Sequence, residues 1–309
     1  MKCLVTGCAG FIGSNLTDQL LKEGHEVIGI DCFTDYYSRK IKEKNIGSAL
    51  KNSQFQFIDE DLLDMMEYPE VDAVFHLAAQ AGVRASWGSD FTIYIKNNIE
   101  ATQNLLEWYK DQNLKKFVYS SSSSVYGDVC LPMHEDMRLQ PVSPYGVTKL
   151  AAEHLCYLYW KNFGLPAVSL RYFTVYGPRQ RPDMAINKFV TAILNEKPIT
   201  LYGDGNQTRD FTFVSDIVDA NILAAIAGKP GSVFNIGGGS RITVNDLITE
   251  LEKNCGKLAK IQFVEQQKGD VKDTLADIRK TETELEWKPR VLIQDGARKY
   301  VQWYLQNVH

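Results

Sequence analysis

An α/β fold is predicted, with a doubly wound parallel sheet in the first part of the chain and a smaller mixed α/β domain after it. Three observations lead there. Short β-branched, apolar runs alternate with helical stretches as far as Tyr176, a glycine-rich turn joins the first strand to the first helix, and past Tyr176 the alternation breaks. Strands buried on both faces read as near-continuous apolar runs, and such runs alternating with helices assemble into parallel sheets.

Taken in order, the first strand runs from Cys3 to Thr6 and the first helix from Gly13 to Glu23. Further strands fall at Glu26 to Asp31, Phe55 to Asp59 and Ala73 to Leu77, each dense in Val, Ile, Phe or Ala. A helix over Ile95 to Asp111 leads to a strand over Lys116 to Ser120. Ser143-Pro144 is a helix-start signal, so the next helix spans Tyr145 to Phe163, and the strand Ala167 to Tyr172 follows. Gly177-Pro178-Arg179-Gln180-Arg181-Pro182 is turn-rich. Beyond it are expected a helix near Asn187 to Leu194, an apolar helix opened by Asp216 and Asp219, a strand at Val233 to Ile236 and a helix from Val244 to Cys255. The predicted division is a first domain of residues 1–176, to which a segment near 212–238 returns, and a second of residues 177–211 and 239–309.

Composition narrows the class. With 309 residues the chain can bury a full core, and a net charge of −4 gives no reason to expect nucleic acid or an anionic membrane as partner. An anionic ligand would need arginines at particular places. Cys3, Cys8, Cys32, Cys130, Cys156 and Cys255 form no CxxC pair and read as reduced thiols. No apolar run approaches the roughly 18 residues of a membrane span, and a cytoplasmic location is expected. His76, His134 and His154 lack metal-ligand spacing, so no metal is expected.

Gly7-Cys8-Ala9-Gly10-Phe11-Ile12-Gly13 lies directly after a strand and opens a helix. Glycine suits a sharp turn, backbone approach by a pyrophosphate and close helix–strand contact, while the helix N-terminus offers N–H donors and a positive dipole. Asp31 ends the second strand, 18 residues after Gly13, where a carboxylate accepts both ribose hydroxyls and repels a 2′-phosphate. Gly7, Gly10, Phe11, Ile12, Gly13 and Asp31 are therefore the predicted dinucleotide contacts of a Rossmann-type domain, with NAD as cofactor.

Tyr145 and Lys149 stand at i and i+4, on one helix face. A phenol of pKa about 10 is a poor base at neutral pH. A neighbouring ammonium, with the nicotinamide cation, stabilises the phenolate, and lowering its pKa by about 3 units takes about 4 kcal/mol. Ser120 to Ser124 sit at the end of the preceding strand, the edge where ligands bind in doubly wound sheets, and a hydroxyl there can bridge the tyrosine and a reacting oxygen.

These motifs, with His76-Leu77-Ala78-Ala79-Gln80 and Val125-Tyr126-Gly127, resemble the extended short-chain dehydrogenase/reductase superfamily. Over essentially its full length the chain resembles the nucleotide-sugar 4-epimerases of that superfamily. The resemblance implies catalytic roles for Ser122, Tyr145 and Lys149, adenine contacts from Asp61 and Leu62, and a cofactor groove lined by Ala78 and Gln80, with Asn98 nearby. It assigns the substrate diphosphate to Arg209, the uridine ribose to Asp270, and a further substrate contact to Thr174. Arg84 borders the sugar on one reading and an exposed loop on the other. The resemblance also implies a homodimer paired through the helices Ile95 to Asp111 and Tyr145 to Phe163.

Related 4,6-dehydratases carry an Asp-Glu pair before the VYG, and related decarboxylases a Glu; here Ser123 and Ser124 stand there, which favours epimerisation. The expected reaction removes the 4-OH proton to Tyr145, passes hydride from C4, and returns it to the other face of a transient 4-keto sugar. Arg179 to Ala185 resembles a segment of UDP-glucuronate 4-epimerases, which gives Arg181 the sugar carboxylate, although an arginine here can serve phosphate instead. Gln267 is the residue those epimerases tend to carry where many UDP-glucose 4-epimerases have arginine, while Lys268 departs from the frequent proline. The alternatives are a UDP-glucose or UDP-N-acetylglucosamine 4-epimerase, a dehydratase or decarboxylase, and a redox-sensing protein without catalysis.

Overall fold

The computed structural model describes residues 1–265 and 271–308. Its main sheet joins six strands from residues 2–172 to one later strand. Six fall before residue 173: β1 (Lys2–Thr6), β2 (Glu26–Ile30), β3 (Phe55–Ile58), β4 (Ala73–His76), β5 (Lys116–Ser122) and β6 (Ala167–Tyr172). After them come β7 (Thr174–Tyr176), β8 (Pro198–Tyr202), β9 (Thr208–Phe213), β10 (Val233–Ile236), β11 (Ser240–Thr243) and β12 (Lys260–Val264). The sheet order is β10-β6-β5-β4-β1-β2-β3 and every pairing is parallel. The order reverses between β1 and β4, so the chain crosses away in both directions there and a crevice opens beyond the strand ends.

Helices cover both faces. Helices α1 (Phe11–Lys22), α2 (Arg39–Ile46), α3 (Phe91–Tyr94), α4 (Ala101–Tyr109), α5 (Pro144–Phe163), α6 (Ala185–Leu194), α7 (Val214–Ala227), α8 (Val244–Cys255), α9 (Arg279–Leu285) and α10 (Ile293–Asn307) follow in order. On one face α4 and α5 pack over Leu4, Val74, Phe117 and Ala167, and on the other α1 and α7 pack over Val5, Phe75, Val118 and Val168. Alternate residues of the same strands thus serve opposite cores, which is why these runs are apolar without interruption.

The expected strand and helix positions agree with the structure to within a few residues, with instructive exceptions. The helix expected over Ile95 to Asp111 is two pieces, a π-helical turn Ile95–Glu100 and α4, and the short helix α3 precedes it. Strand β5 runs to Ser122, two residues further than expected. Not anticipated were α2, α9, α10 and the short strands β7, β8, β9, β11 and β12, which form a β11-β9-β7 sheet and a β12-β8 pair. Strand β9 hides from periodicity because it buries a charge. Asp210 is fully buried and accepts N–H bonds from Gly238 (2.8 Å) and Ala276 (2.8 Å), knitting three distant segments together. No described helix is long and apolar enough to cross a membrane.

Candidate active site

The crevice begins at the turn from β1 into α1. Gly7 has φ +69°, and a Cβ there would stand 2.8 Å from the Ala78 nitrogen; a Cβ on Gly13 would stand 2.1 Å from the Gly7 oxygen. Neither position admits a side chain. Gly10 caps α1 without a side-chain hydrogen bond, and no acidic residue occupies the first turn, so its dipole is left for an anion. At the end of β2, Asp31 accepts from Phe33 N (2.9 Å) and Ala9 N (3.1 Å), tying the glycine turn to the second strand. Burial pushes its carboxyl up, while those N–H groups and the Lys42 ammonium pull it down. The cleft wall brings together Gly7, Gly10, Phe11, Ile12, Gly13, Asp31, Asp61, Leu62, Ala78, Gln80, Tyr145, Lys149 and Arg181. These residues fit a dinucleotide: bare backbone where a diphosphate would lie and a carboxylate one strand away.

Asn98 lies beside the groove through its bonds to Gln80 and Thr148. It is buried off the cleft wall, where Asn97 stands instead. Its amide accepts from Gln80 N (2.7 Å) and donates to Gln80 O (3.0 Å) and Thr148 Oγ1 (3.0 Å). Asn98 therefore clamps the end of β4 to the helix carrying Tyr145 and Lys149, and the π turn delivers it there. The clamp continues through His76. Thr102 donates to Asn98 O (2.7 Å), so it accepts from His76 Nε2 (2.9 Å), and His76 Nδ1 accepts from Thr6 Oγ1 (2.8 Å). Burial holds His76 neutral by pushing its pKa to about 3.

Helix α5 starts at Pro144 behind Ser143, whose hydroxyl accepts from Gly146 N (3.1 Å). This start puts Tyr145 and Lys149 one turn apart in the cleft. Ser122 accepts from Ser124 N (3.1 Å), and its hydroxyl is one of the groups that pull the Tyr145 phenol down. The electrostatics differ from expectation. Burial pushes the Tyr145 phenol up, and the groups pulling it down are the Ser122 hydroxyl and the Arg181 charge. Lys149 is itself pulled down to about 7 by burial. The balance of these influences on the phenol is upward.

Arg181, from the segment after β7, lines the same cleft as this phenol. Its Nε and Nη2 donate to Asp183 Oδ1 (2.9 Å) and Oδ2 (3.0 Å), and its guanidinium lies 5.7 Å from the Tyr36 ring centre. Tyr36, on the loop after β2, donates to Asp183 Oδ2 (3.2 Å). Nη1 of Arg181 has no hydrogen bond among the described residues. Thr174 opens β7, half-buried and paired with Phe211. Arg209 donates to Thr208 O (2.9 Å) and Lys272 O (2.8 Å) and lines a second depression with Tyr202, Gln207 and Lys272. Arg84 stacks 4.1 Å from the Tyr202 ring centre, at the border of that depression. Gln267 and Asp270 lie outside the described residues.

Sequence reasoning passed over Tyr36, Lys42 and Tyr172, all in the cleft wall. Lys42 was traceable in principle, because its position one helical turn into α2 faces Asp31. Its ammonium donates to Thr34 O (2.6 Å).

Comparison with known proteins identifies the family. Residues 3–237 match the model of the NAD dependent epimerase/dehydratase family. The chain is 42% identical to the UDP-glucuronate 4-epimerase of Thermodesulfobacterium geofontis (strain OPF15), over 99% of this chain and 96% of that protein. It is 45% identical to the uncharacterized UDP-glucose epimerase YtcB of Bacillus subtilis (strain 168), over 100% and 99%. Among solved structures, UDP-glucuronic acid 4-epimerase from Bacillus cereus, in complex with UDP-glucuronic acid and NAD, superposes with a TM-score of 0.96 at 47% identity, covering 99% of each chain. The chain therefore belongs to the NAD dependent epimerase/dehydratase family.

Proposed function

We propose that this chain interconverts UDP-glucuronate and UDP-galacturonate by inverting C4, with NAD as resident cofactor. The observation that carries the uronate is Arg181. It enters the cofactor cleft beside Tyr145, is braced by Asp183 through two N–H groups, and keeps Nη1 uncommitted among the described residues. A braced guanidinium with a spare edge suits a carboxylate.

Each residue has a part. Backbone N–H groups at the start of α1 hold the cofactor diphosphate and Asp31 the ribose. Tyr145 Oη takes the proton from the sugar 4-OH, and the Ser122 hydroxyl stabilises the resulting arrangement by donating to the phenolate. Lys149 turns its ammonium to the nicotinamide ribose. Bound NAD supplies the hydride acceptor and a positive ring. Arg209 meets the substrate diphosphate, with Arg84 and Thr174 at the sugar, and Gln267 and Asp270 at the nucleotide. The 4-keto form of a uronate is a β-keto acid prone to losing CO₂, and Arg181 restrains its carboxylate. Elimination is disfavoured because Ser123 and Ser124 offer no acid and Glu153 is committed to Arg171 and Ser121.

The division of labour follows the two expected domains: residues 1–176 with the returning segment 212–238 bind NAD, and residues 177–211 with 239–309 bind substrate. Ile93, Val147, Tyr157 and Leu158, exposed on α3 and α5, form the contact of a homodimer. All six cysteines are free, which suits the cytoplasm. A second reading, UDP-glucose as substrate, draws support from the Bacillus subtilis relative. Incubation with UDP-glucuronate and, separately, UDP-glucose, without added cofactor and with products read by proton NMR, decides between them. Conversion of the uronate alone is expected; turnover of UDP-glucose in preference would remove the carboxylate role of Arg181.

A further inference from the structure

The Lys149 ammonium is buried and carries no hydrogen bond among the described residues. The carboxylate one turn along α5 is not its partner. Glu153 gives Oε1 to Arg171 Nη2 (2.6 Å), and Oε2 to Arg171 Nε (3.0 Å) and Ser121 Oγ (2.6 Å). What Lys149 does meet is a ring: its Nζ lies 4.5 Å from the centre of Tyr119. Tyr119 stands mid-strand in β5, buried, between His76 on β4 and Ser169 on β6. Its hydroxyl is buried without a hydrogen-bond partner among the described residues, so hydrogen bonding does not explain the ring.

We propose that the face of Tyr119 is the seat of the Lys149 ammonium, a positioning residue that keeps this cation charged and turned to the cleft without a carboxylate partner. The proposal rests on the reading of Tyr145 and Lys149 as a working pair. A carboxylate would hold the ammonium more tightly but would cancel its field at the phenol. An aromatic face favours the cation through its quadrupole and carries no net charge, so the positive field remains available to Tyr145 and to a ribose. The other titratable or charged groups around Lys149 are Tyr145, Glu153 and Cys156 on α5, His76 on β4, Arg171 on β6 and Arg181 across the cleft. Glu153 raises Lys149 although its oxygens are bonded to Arg171 and Ser121, and His76 is neutral. Burial, partly offset by Cys156 and Glu153, pulls Lys149 down to about 7, so the ring acts where a small change of environment alters its charge near neutral pH.

The test keeps the shape and removes the quadrupole. Tyr119→Phe and its mono-, di- and trifluorinated phenylalanine versions are prepared as holoenzymes with lysine labelled by carbon-13 at Cε. The Lys149 signal, assigned by its loss in Lys149→Arg, is titrated beside the pH dependence of turnover. Tyr119→Phe should match the parent, and progressive fluorination should lower the Lys149 titration by about 0.5 to 1.5 pH units. The alkaline limb of turnover should move down with it. A titration indifferent to fluorination overturns the proposal, as does a shift in Tyr119→Phe as large as the fluorinated ones, which would assign the effect to the hydroxyl. A titration that moves while turnover does not leaves the seat standing and removes the reading of the pair.

Discussion

Arg181 carries two loads on one side chain. It is braced on Asp183 and it is one of the two groups that pull the Tyr145 phenol down. With Tyr145 as the proposed base, turnover should rise as pH passes upward through its pKa, and removing a positive neighbour should move that limb to higher pH. Arg181→Ala should therefore cost UDP-glucuronate about 10- to 100-fold in kcat/KM, the size of a lost charged hydrogen bond, and shift the acid limb upward. Rate profiles of the variant and parent between pH 5 and 9 check both; an unshifted limb would detach Arg181 from Tyr145. The pairing was not legible in the sequence. Tyr36 and Asp183, which complete the brace, are 147 positions apart and meet only because the loops after β2 and β7 converge on one sheet edge.

Two elements meet at the catalytic helix through buried polar contacts, and each makes a prediction. Helix α5 is locked to β6 by Glu153 and Arg171, both nearly fully buried. Glu153→Ala strands a buried guanidinium and should cost about 3–5 kcal/mol in denaturant unfolding; a loss below about 1 kcal/mol would show that the pair contributes little. His76 joins β1 and β4 to the start of α4 and stays neutral. Its folded pKa of about 3 lies below the unfolded value near 6.5, so the unfolded chain binds more protons between them. Stability should fall as pH drops through that window, with His76 contributing up to about 1.4 kcal/mol per pH unit. His76→Gln should be less stable at pH 7.5 yet show a shallower slope from pH 6.5 to 4.5; equal slopes would contradict the buried neutral imidazole. The parallel sheet and α5 were legible because long apolar runs and the Ser143-Pro144 start signal leave little choice. The π turn was not, since one extra residue in a turn changes neither composition nor capping. The small second sheet was hidden by Asp210, a buried charge in a short strand.

At the scale of the whole molecule, one core serves both expected domains. Residues of β1 and α1 share a continuous cluster with Leu247, Leu251 and Tyr300 from the C-terminal part. The cleft between them is therefore held by a common hydrophobic body, and Arg84 on Tyr202 ties its rim across. The apolar residues exposed on α3 and α5 predict the assembly. Leu158→Glu should convert a dimer to a monomer in light scattering while leaving the fold intact by circular dichroism; a parent that is itself monomeric would contradict the pairing. All of this architecture serves one claim, that C4 of a uronate is inverted inside a closed site with nothing exchanged with water. The direct test uses UDP-glucuronate deuterated at C4, in ordinary water without added NAD. The account predicts UDP-galacturonate with deuterium still at C4. Loss of the label to solvent, release of CO₂ or accumulation of a keto sugar would contradict it.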